Sequence, residues 1–199
     1  MNKLKFGIIG CGRISYKHIE ALIENKDTAE LVAVCDLFEY KAVERKLQYL
    51  NHMPSAKVLV YTDYKELLKS SGCDVVAIAT ESGYHAEHAI YALTQGAHVL
   101  VEKPMALSVD DAMQMIETAK TVHKKIAIAH QNRFNPPIQK LRRAIEEGRF
   151  GKIINATARI LWTRDAHYYE QAPWRGTKAL DGGTLMNQCI HNIDLLQWM

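Results

Sequence analysis

The sequence predicts an α/β protein: a doubly wound sheet of parallel strands, then the start of an α+β domain with a mostly antiparallel sheet. Two observations carry the first part. Six short apolar runs alternate with helical patterns up to Ala129, the order that gives parallel strands with right-handed crossovers. The first run also ends in Gly10-Cys11-Gly12 and passes straight into a helix, while the second ends at Asp36. A third observation carries the second part. Near His130 the pattern changes to a helix, a long alternating stretch and a polar, aromatic loop. The expected domains are 1–130 and 131–199.

The elements follow in order. Lys5 to Ile9 is the first strand, and Gly10 allows the tight turn after it. From Arg13 to Asn25, Ile14, Ile19, Leu22 and Ile23 fall on one helical face. Leu31 to Cys35 is the second strand. A helix from about Glu39 to Leu50 is amphipathic through Ala42, Val43, Leu47 and Leu50. Val58 to Tyr61 is a short strand. Asp63, with Glu66 three positions on, has capping-box spacing for a short helix. Asp74 to Ala79 is a near-continuous apolar run, as expected of a strand buried on both faces. Tyr84 to Gln95 is a helix stopped by Gly96. His98 to Val101 is the fifth strand, Ser108 caps a helix running to about His123, and Lys125 to Ala129 is the sixth strand.

Asn135 and Pro136 stand as N-cap and N1 of a helix ending near Gly148. Ile153 to Thr163 alternates over its length and predicts one strand of a covered sheet. Asp181-Gly182-Gly183 leads into a helix on which Asn187 and His191, four apart, share a face. No partner for the long strand is encoded, and an isolated strand with two helices cannot bury its apolar face. The expectation is therefore a carboxy-terminal truncation.

Composition excludes several classes. The chain has 199 residues, 48% apolar and 24% charged, with net charge +3, as in a soluble globular protein. Lys124-Lys125 and Arg142-Arg143 are its densest basic spots, too short for a nucleic-acid surface. No apolar run approaches the roughly 20 residues of a membrane span, and the amino-terminal run enters Gly-x-Gly too soon for a signal peptide. Cys11, Cys35, Cys73 and Cys189 have no C-x-x-C spacing. Free thiols in a reduced, cytoplasmic setting are expected. Cys189 reads as a packing residue.

Gly10 and Gly12 are the first two glycines of G-x-G-x-x-G, with Ser15 at the third position. The second glycine lets backbone approach a pyrophosphate, and the helix opening at Arg13 and Ile14 offers N–H groups and a positive dipole end. Asp36, 24 residues beyond Gly12, suits the ribose of NAD and repels the 2′-phosphate of NADP. Glu102-Lys103-Pro104 closes the fifth strand, and ligands of such sheets bind outside the carboxyl ends of strands. His85 sits in the first turn of its helix, near the same edge. His85, Glu87 and His88 could suggest a metal pair, but without a third ligand nearby no metal is expected. Tyr168-Tyr169 and Trp174-Arg175 read as a loop lining a cleft.

Taken together, Gly10-x-Gly12, Asp36, Ala79-Thr80, Glu102-Lys103-Pro104, Asn132-Arg133-Phe134, Trp174-Arg175 and the stretch from Gly182 to Asp194 resemble the Gfo/Idh/MocA family of sugar and polyol dehydrogenases. The resemblance implies an NAD-dependent oxidation of a secondary hydroxyl on a sugar. Lys103 would be catalytic and touch both nicotinamide ribose and substrate, with His191 as its acid/base partner. Asn187 stands where many members have Asp, and an amide cannot ionise. The resemblance also implies cofactor contacts from Gly10, Cys11, Gly12, Arg13, Ile14, Asp36, Thr80, His85, Glu102, Lys103 and Gln131. Substrate contacts would come from Arg164, Tyr168, Tyr169, Trp174, Arg175 and Asn187. Met186-Asn187-Gln188 with the upstream aromatic loop resembles the branch that oxidises the 3-hydroxyl of UDP-N-acetylglucosaminuronate in surface-polysaccharide synthesis. Such members carry a second domain with a large open antiparallel sheet, often used for dimerisation, so a homo-oligomer is implied for the full-length protein. The rival reading is a nucleotide-binding sensor or scaffold without catalysis. Coexistence of Lys103 and His191 separates the two, because a sensor needs only the nucleotide site.

Overall fold

The computed structural model describes residues 2–199. The chain divides into two compact units, 1–128 and 129–199. The first unit is built on a six-stranded sheet. In chain order its elements are β1 (Leu4–Ile9), α1 (Ser15–Glu24), β2 (Ala29–Cys35), α2 (Glu39–Leu50), β3 (Leu59–Tyr61), α3 (Tyr64–Ser70), β4 (Val75–Ile78), α4 (His85–Thr94), β5 (His98–Glu102), α5 (Val109–Thr121) and β6 (Ile126–Ala129). The spatial order is β3-β2-β1-β4-β5-β6, with β1 parallel to both β2 and β4. The order reverses between β1 and β4, which is where ligands of doubly wound sheets bind.

The near-continuous apolar strands feed two cores, and the period of two sorts neighbours to opposite faces. Ile8, Val34 and Ala77 pack with Ile19, Leu22, Ala42 and Tyr49 of α1 and α2. Their neighbours Ile9, Ala33, Cys35, Val76 and Ile78 pack with Leu67, Ala89, Leu93 and Met115 of α3, α4 and α5. Tyr49 is fully buried, and its hydroxyl accepts from the Leu31 N–H at 3.2 Å.

Helix ends follow their signals with small changes. Asp63 accepts from the Lys65 N–H at 2.8 Å, and Ser108 from the Asp111 N–H at 3.0 Å. Glu66 reaches forward to Lys69. Gly96 takes positive φ after α4. Asn135 precedes α6 (Pro136–Glu146) without a side-chain cap bond.

The second unit departs from the sequence expectation in two places. Residues 153–163 form no ladder. Ile154 and Leu161, on opposite parities, are 82% and 84% exposed. Alternation states which side chains would share a face. A strand is defined by pairing, and no described residue supplies a partner edge, so the expected antiparallel sheet is not formed among the described residues. Likewise Asn187 and His191 do not share one helix. Asn187 ends α8 (Gly183–Asn187), and His191 lies in α9 (Ile190–Trp198). The N–H groups of Gln188 and Cys189 both donate to the Thr184 carbonyl, at 2.9 Å each, which interrupts the regular ladder between the two helices. A further short helix, α7 (Ala166–Glu170), stands within the polar loop, its first turn capped by Asp165.

Gly10 carries the tightest constraint in the sheet. It has φ +91°, and a Cβ there would lie 2.6 Å from the backbone of Ala79 and Thr80. Gly10→Ala should destabilise the fold by about 2 kcal/mol or more. Gly72 also has positive φ, but a Cβ there meets nothing within 4 Å. Gly72→Ala should cost only about 1 kcal/mol. Urea denaturation of both variants measures the difference.

Candidate functional site

The glycine turn, the β2 exit and the β4 exit meet at the carboxyl edge of the sheet. Asp36 organises this edge. One carboxylate oxygen accepts from the Cys11 N–H at 2.8 Å, and the other from the Phe38 N–H at 2.9 Å. A carboxylate has about four lone-pair positions, so both oxygens can still accept from a ribose hydroxyl. Ser15 is fully buried and donates to the Gly12 carbonyl at 2.6 Å, locking the turn into the first residue of α1. A Cβ at Gly12 would meet no protein atom within 4 Å. The chain itself does not require glycine there, whereas close approach of a pyrophosphate does. The residues present therefore fit a dinucleotide.

Cys11 is bound into the turn by its backbone and its thiol. Its amide is taken by Asp36, and its thiol is buried and directed at the Cys35 carbonyl at 3.5 Å. Burial, then the Asp36 charge, push the Cys11 thiol up to about 12. Cys11 supports the loop from behind, while Gly12, Arg13 and Ile14 form its outer, more exposed side.

The β4 and β5 exits are joined by α4. His85 is 1% exposed. Its Nδ1 lies 2.7 Å from the Pro104 carbonyl oxygen and its Nε2 lies 3.0 Å from that of Thr80. Both ring nitrogens thus face protein carbonyls. The ring is thus placed between the loops that carry Thr80 and Pro104, at the edge where its cofactor contact is expected. His88 lies 3.2 Å from the Thr80 hydroxyl, and burial pushes its imidazole down to about 4. Thr80 thus has a histidine nitrogen beside both its carbonyl and its hydroxyl. Glu102 is buried at the end of β5 and accepts from His18 Nε2 of α1 at 3.0 Å. Lys103 follows on the β5 exit, half-buried, with a cis peptide to Pro104.

In the second unit, Gln131 lies 3.5 Å from His191 Nε2. His191 is 8% exposed and stacks edge-on with His130, ring centroids 6.3 Å apart. Asp194, one turn along α9, takes both guanidinium arms of Arg133. Asn187 donates to Asp181, which is buried and also accepts from the Gly176 N–H at 2.9 Å. Two guanidinium groups lie against the Tyr168 ring. Arg175 is 4.4 Å from its ring centroid and Arg164 is 5.1 Å. The Tyr168 hydroxyl accepts from Gln188 at 2.7 Å. Trp174 carries the other side of Arg175 at 5.1 Å, and Tyr169 stacks edge-on against Tyr168 at 5.2 Å. The expected substrate residues Arg164, Tyr168, Tyr169, Trp174 and Arg175 thus form one basic, aromatic cluster. Asp181 and His18 were missed. An Asp before Gly-Gly and a His one turn into the helix after the glycine loop were the available signals.

Comparison with known proteins bears on the same two units. Residues 4–130 match a family described as an oxidoreductase family with an NAD-binding Rossmann fold, and residues 138–199 match the GFO/IDH/MocA C-terminal domain. The chain belongs to the Gfo/Idh/MocA family of oxidoreductases. The WlbA dehydrogenase from Bordetella pertussis, solved in complex with NADH and UDP-GlcNAcA, is 37% identical with TM-score 0.89, over 100% of this chain and 57% of that one. The WlbA dehydrogenase from Chromobacterium violaceum, with the same two ligands, is 36% identical with TM-score 0.90, over 100% and 55%. The D-glucoside 3-dehydrogenase of Escherichia coli is 30% identical over 98% of this chain and 54% of its own length. The chain spans about half the length of the relatives it matches. Among the described residues, no helix is long and apolar enough to cross a membrane.

The Asp194 carboxyl gives a pH-dependent handle. Burial alone would raise its pKa, but the hydrogen bonds from Arg133 and the nearby charges of His130, Arg133 and His191 hold it below the usual carboxylate value. Its contribution to stability is therefore complete above the ordinary value of about 3.9 and is lost as pH falls through the lowered folded value. Asp194→Asn should lower stability at neutral pH by about 2 kcal/mol and flatten the acid limb of a stability-against-pH curve measured by urea denaturation.

Proposed function

We propose that this chain holds the cofactor site and the first catalytic groups of an NAD-dependent dehydrogenase that oxidises a secondary hydroxyl of a nucleotide-linked sugar acid of the UDP-N-acetylglucosaminuronate kind. The observation that carries the reading is the Arg164–Tyr168–Arg175 cluster, two guanidinium groups against one aromatic ring. Arginine recognises carboxylate and phosphate in a planar, bidentate manner, and aromatic rings beside it suit a sugar or base face. Such a cluster fits a substrate with both a carboxylate and a diphosphate better than a neutral polyol. Similarity to two dehydrogenases solved with UDP-GlcNAcA supports the same substrate class.

Bound NAD supplies the hydride acceptor. The chain's residues handle the remaining proton and the developing charge. Lys103 donates a hydrogen bond to the reacting hydroxyl and stabilises its oxygen as the C–H bond is lost. His191 accepts the hydroxyl proton, so the alcohol leaves as ketone with one hydride and one proton removed. A histidine titrates near 6.5 and a lysine near 10.4 in isolation, which makes the imidazole the easier proton acceptor at neutral pH. Asn187 orients substrate and exchanges no proton, its side chain steadied by Asp181. Gly12, Arg13, Ile14, Asp36, Thr80, Glu102 and Gln131 complete the proposed cofactor contacts.

Asp36 makes NAD the preferred dinucleotide, since a 2′-phosphate would meet its charge and Leu37 and Phe38 offer no cation. Calorimetry should give NAD at least about tenfold tighter binding than NADP; equal affinity would overturn this preference. Gly12→Ala should leave the melting temperature unchanged and weaken NAD binding by about tenfold or more.

The catalytic assignment is tested in the intact protein with NAD and UDP-N-acetylglucosaminuronate, following NADH by absorbance. Lys103→Met should lower kcat about a hundredfold or more, with NAD affinity little changed. His191→Ala should do similar damage, and the double variant should lose far less than the product of the two. Near-normal turnover in both single variants would overturn the roles given to Lys103 and His191, whereas NAD binding without any NADH formation by the unaltered protein would leave a nucleotide-binding module without catalysis.

A further inference from the structure

The catalytic assignment places its demand on one residue, Lys103, at the end of a strand and the start of a turn. A lysine has four rotatable side-chain bonds, so its useful position depends on how firmly its backbone is held. Both neighbours of Lys103 are held, and by histidines from opposite faces of the sheet. On the amino-terminal side, His18 of α1 donates from Nε2 to Glu102 Oε1 at 3.0 Å, with both side chains nearly buried. On the carboxy-terminal side, His85 of α4 contacts the Pro104 carbonyl at 2.7 Å through Nδ1. Burial lowers the His85 pKa, so the neutral ring carries one N–H, and the shorter contact assigns it to Nδ1. The other edge of the ring packs beside the Thr80 carbonyl, 3.0 Å away, at the β4 exit against which Gly10 packs, while the hydrogen bond that holds the Lys103 turn is the one from Nδ1 to Pro104.

We propose that His18 and His85 bracket Lys103 and act as positioning residues for it, through Glu102 and Pro104 respectively, without touching substrate. The proposal rests on the role given to Lys103 above. Catalytic groups need placement within about half an ångström, and misplacement by about 1 Å can lower turnover about a hundredfold. Loss of either bracket therefore falls on kcat more than on KM for NAD, because the glycine turn and Asp36, to which neither histidine is hydrogen-bonded, supply the main dinucleotide contacts.

The test uses the intact protein with NAD and UDP-N-acetylglucosaminuronate, and Lys103→Met as reference. His85→Leu should lower kcat by about tenfold or more with KM for NAD changed less than about threefold. His85→Asn, whose amide N–H can occupy the Nδ1 position, should recover most of the loss. His18→Leu should lower kcat similarly. His18→Gln, which can still donate to Glu102, should recover it. His18 is less completely buried than His85, so its pair of variants gives an answer even if His85→Leu fails to fold. Wild-type kcat in His18→Leu and in His85→Leu, with Lys103→Met inactive, overturns the bracket and leaves the catalytic assignment standing. Equal damage in the leucine and conservative variants, with KM for NAD rising in step, also overturns it in favour of a purely structural role. An active Lys103→Met overturns the catalytic assignment itself.

Discussion

The first unit depends on the close approach of two strand exits at the point where the sheet order reverses. Gly10 has no side chain, so the β1 exit can lie against the backbone of Ala79 and Thr80. Asp36 then draws the β2 exit onto the same turn by accepting from Cys11. Three strand ends are thereby fixed within a few residues of one another. The network is backbone-centred, since amide and carbonyl groups make most of its bonds and side chains enter mainly as acceptors. A turn whose groups are already bonded to one another has fewer of them left to order on binding.

Histidines extend the same logic outward. The unit uses His18, His85 and His88 as short, planar bridges between its elements. His88 is neutral across the physiological range because burial pushes it down to about 4, and its ring packs between Tyr64 and Tyr84. The buried thiols of Cys11 and Cys35 are both pushed up to about 12 by burial first, so neither is a nucleophile at neutral pH.

The second unit is organised by charge more than by apolar burial. Arg133 and Asp194 tie the segment after β6 to α9. Arg133 and Arg142 also lie over Trp198, at 5.5 and 5.1 Å from its ring. Asp181 performs a similar task for the polar loop, joining Gly176 to Asn187. Few side chains here are buried, whereas the first unit has two continuous cores. Order in this unit comes from directional contacts, which fix side chains such as His191 without a large apolar interior.

The sequence by itself determined the doubly wound sheet, the glycine turn, the acid at the end of β2 and the position of Lys103 on the β5 exit. These are local patterns: periodicity, turn chemistry and residues set at strand ends, each legible within a dozen positions. Tertiary structure alone decided the partners. His18 meets Glu102 across 84 positions, and Arg133 meets Asp194 across 61; no spacing rule connects residues that far apart, because the crossovers between them set the meeting point. The same limit explains His85, whose place in the first turn of α4 was readable while the two carbonyls it joins were not. It also explains residues 153–163, where alternation was plain in the sequence. Alternation assigns faces, but only a second backbone edge at hydrogen-bonding distance makes a strand, and that edge is a property of the assembled fold.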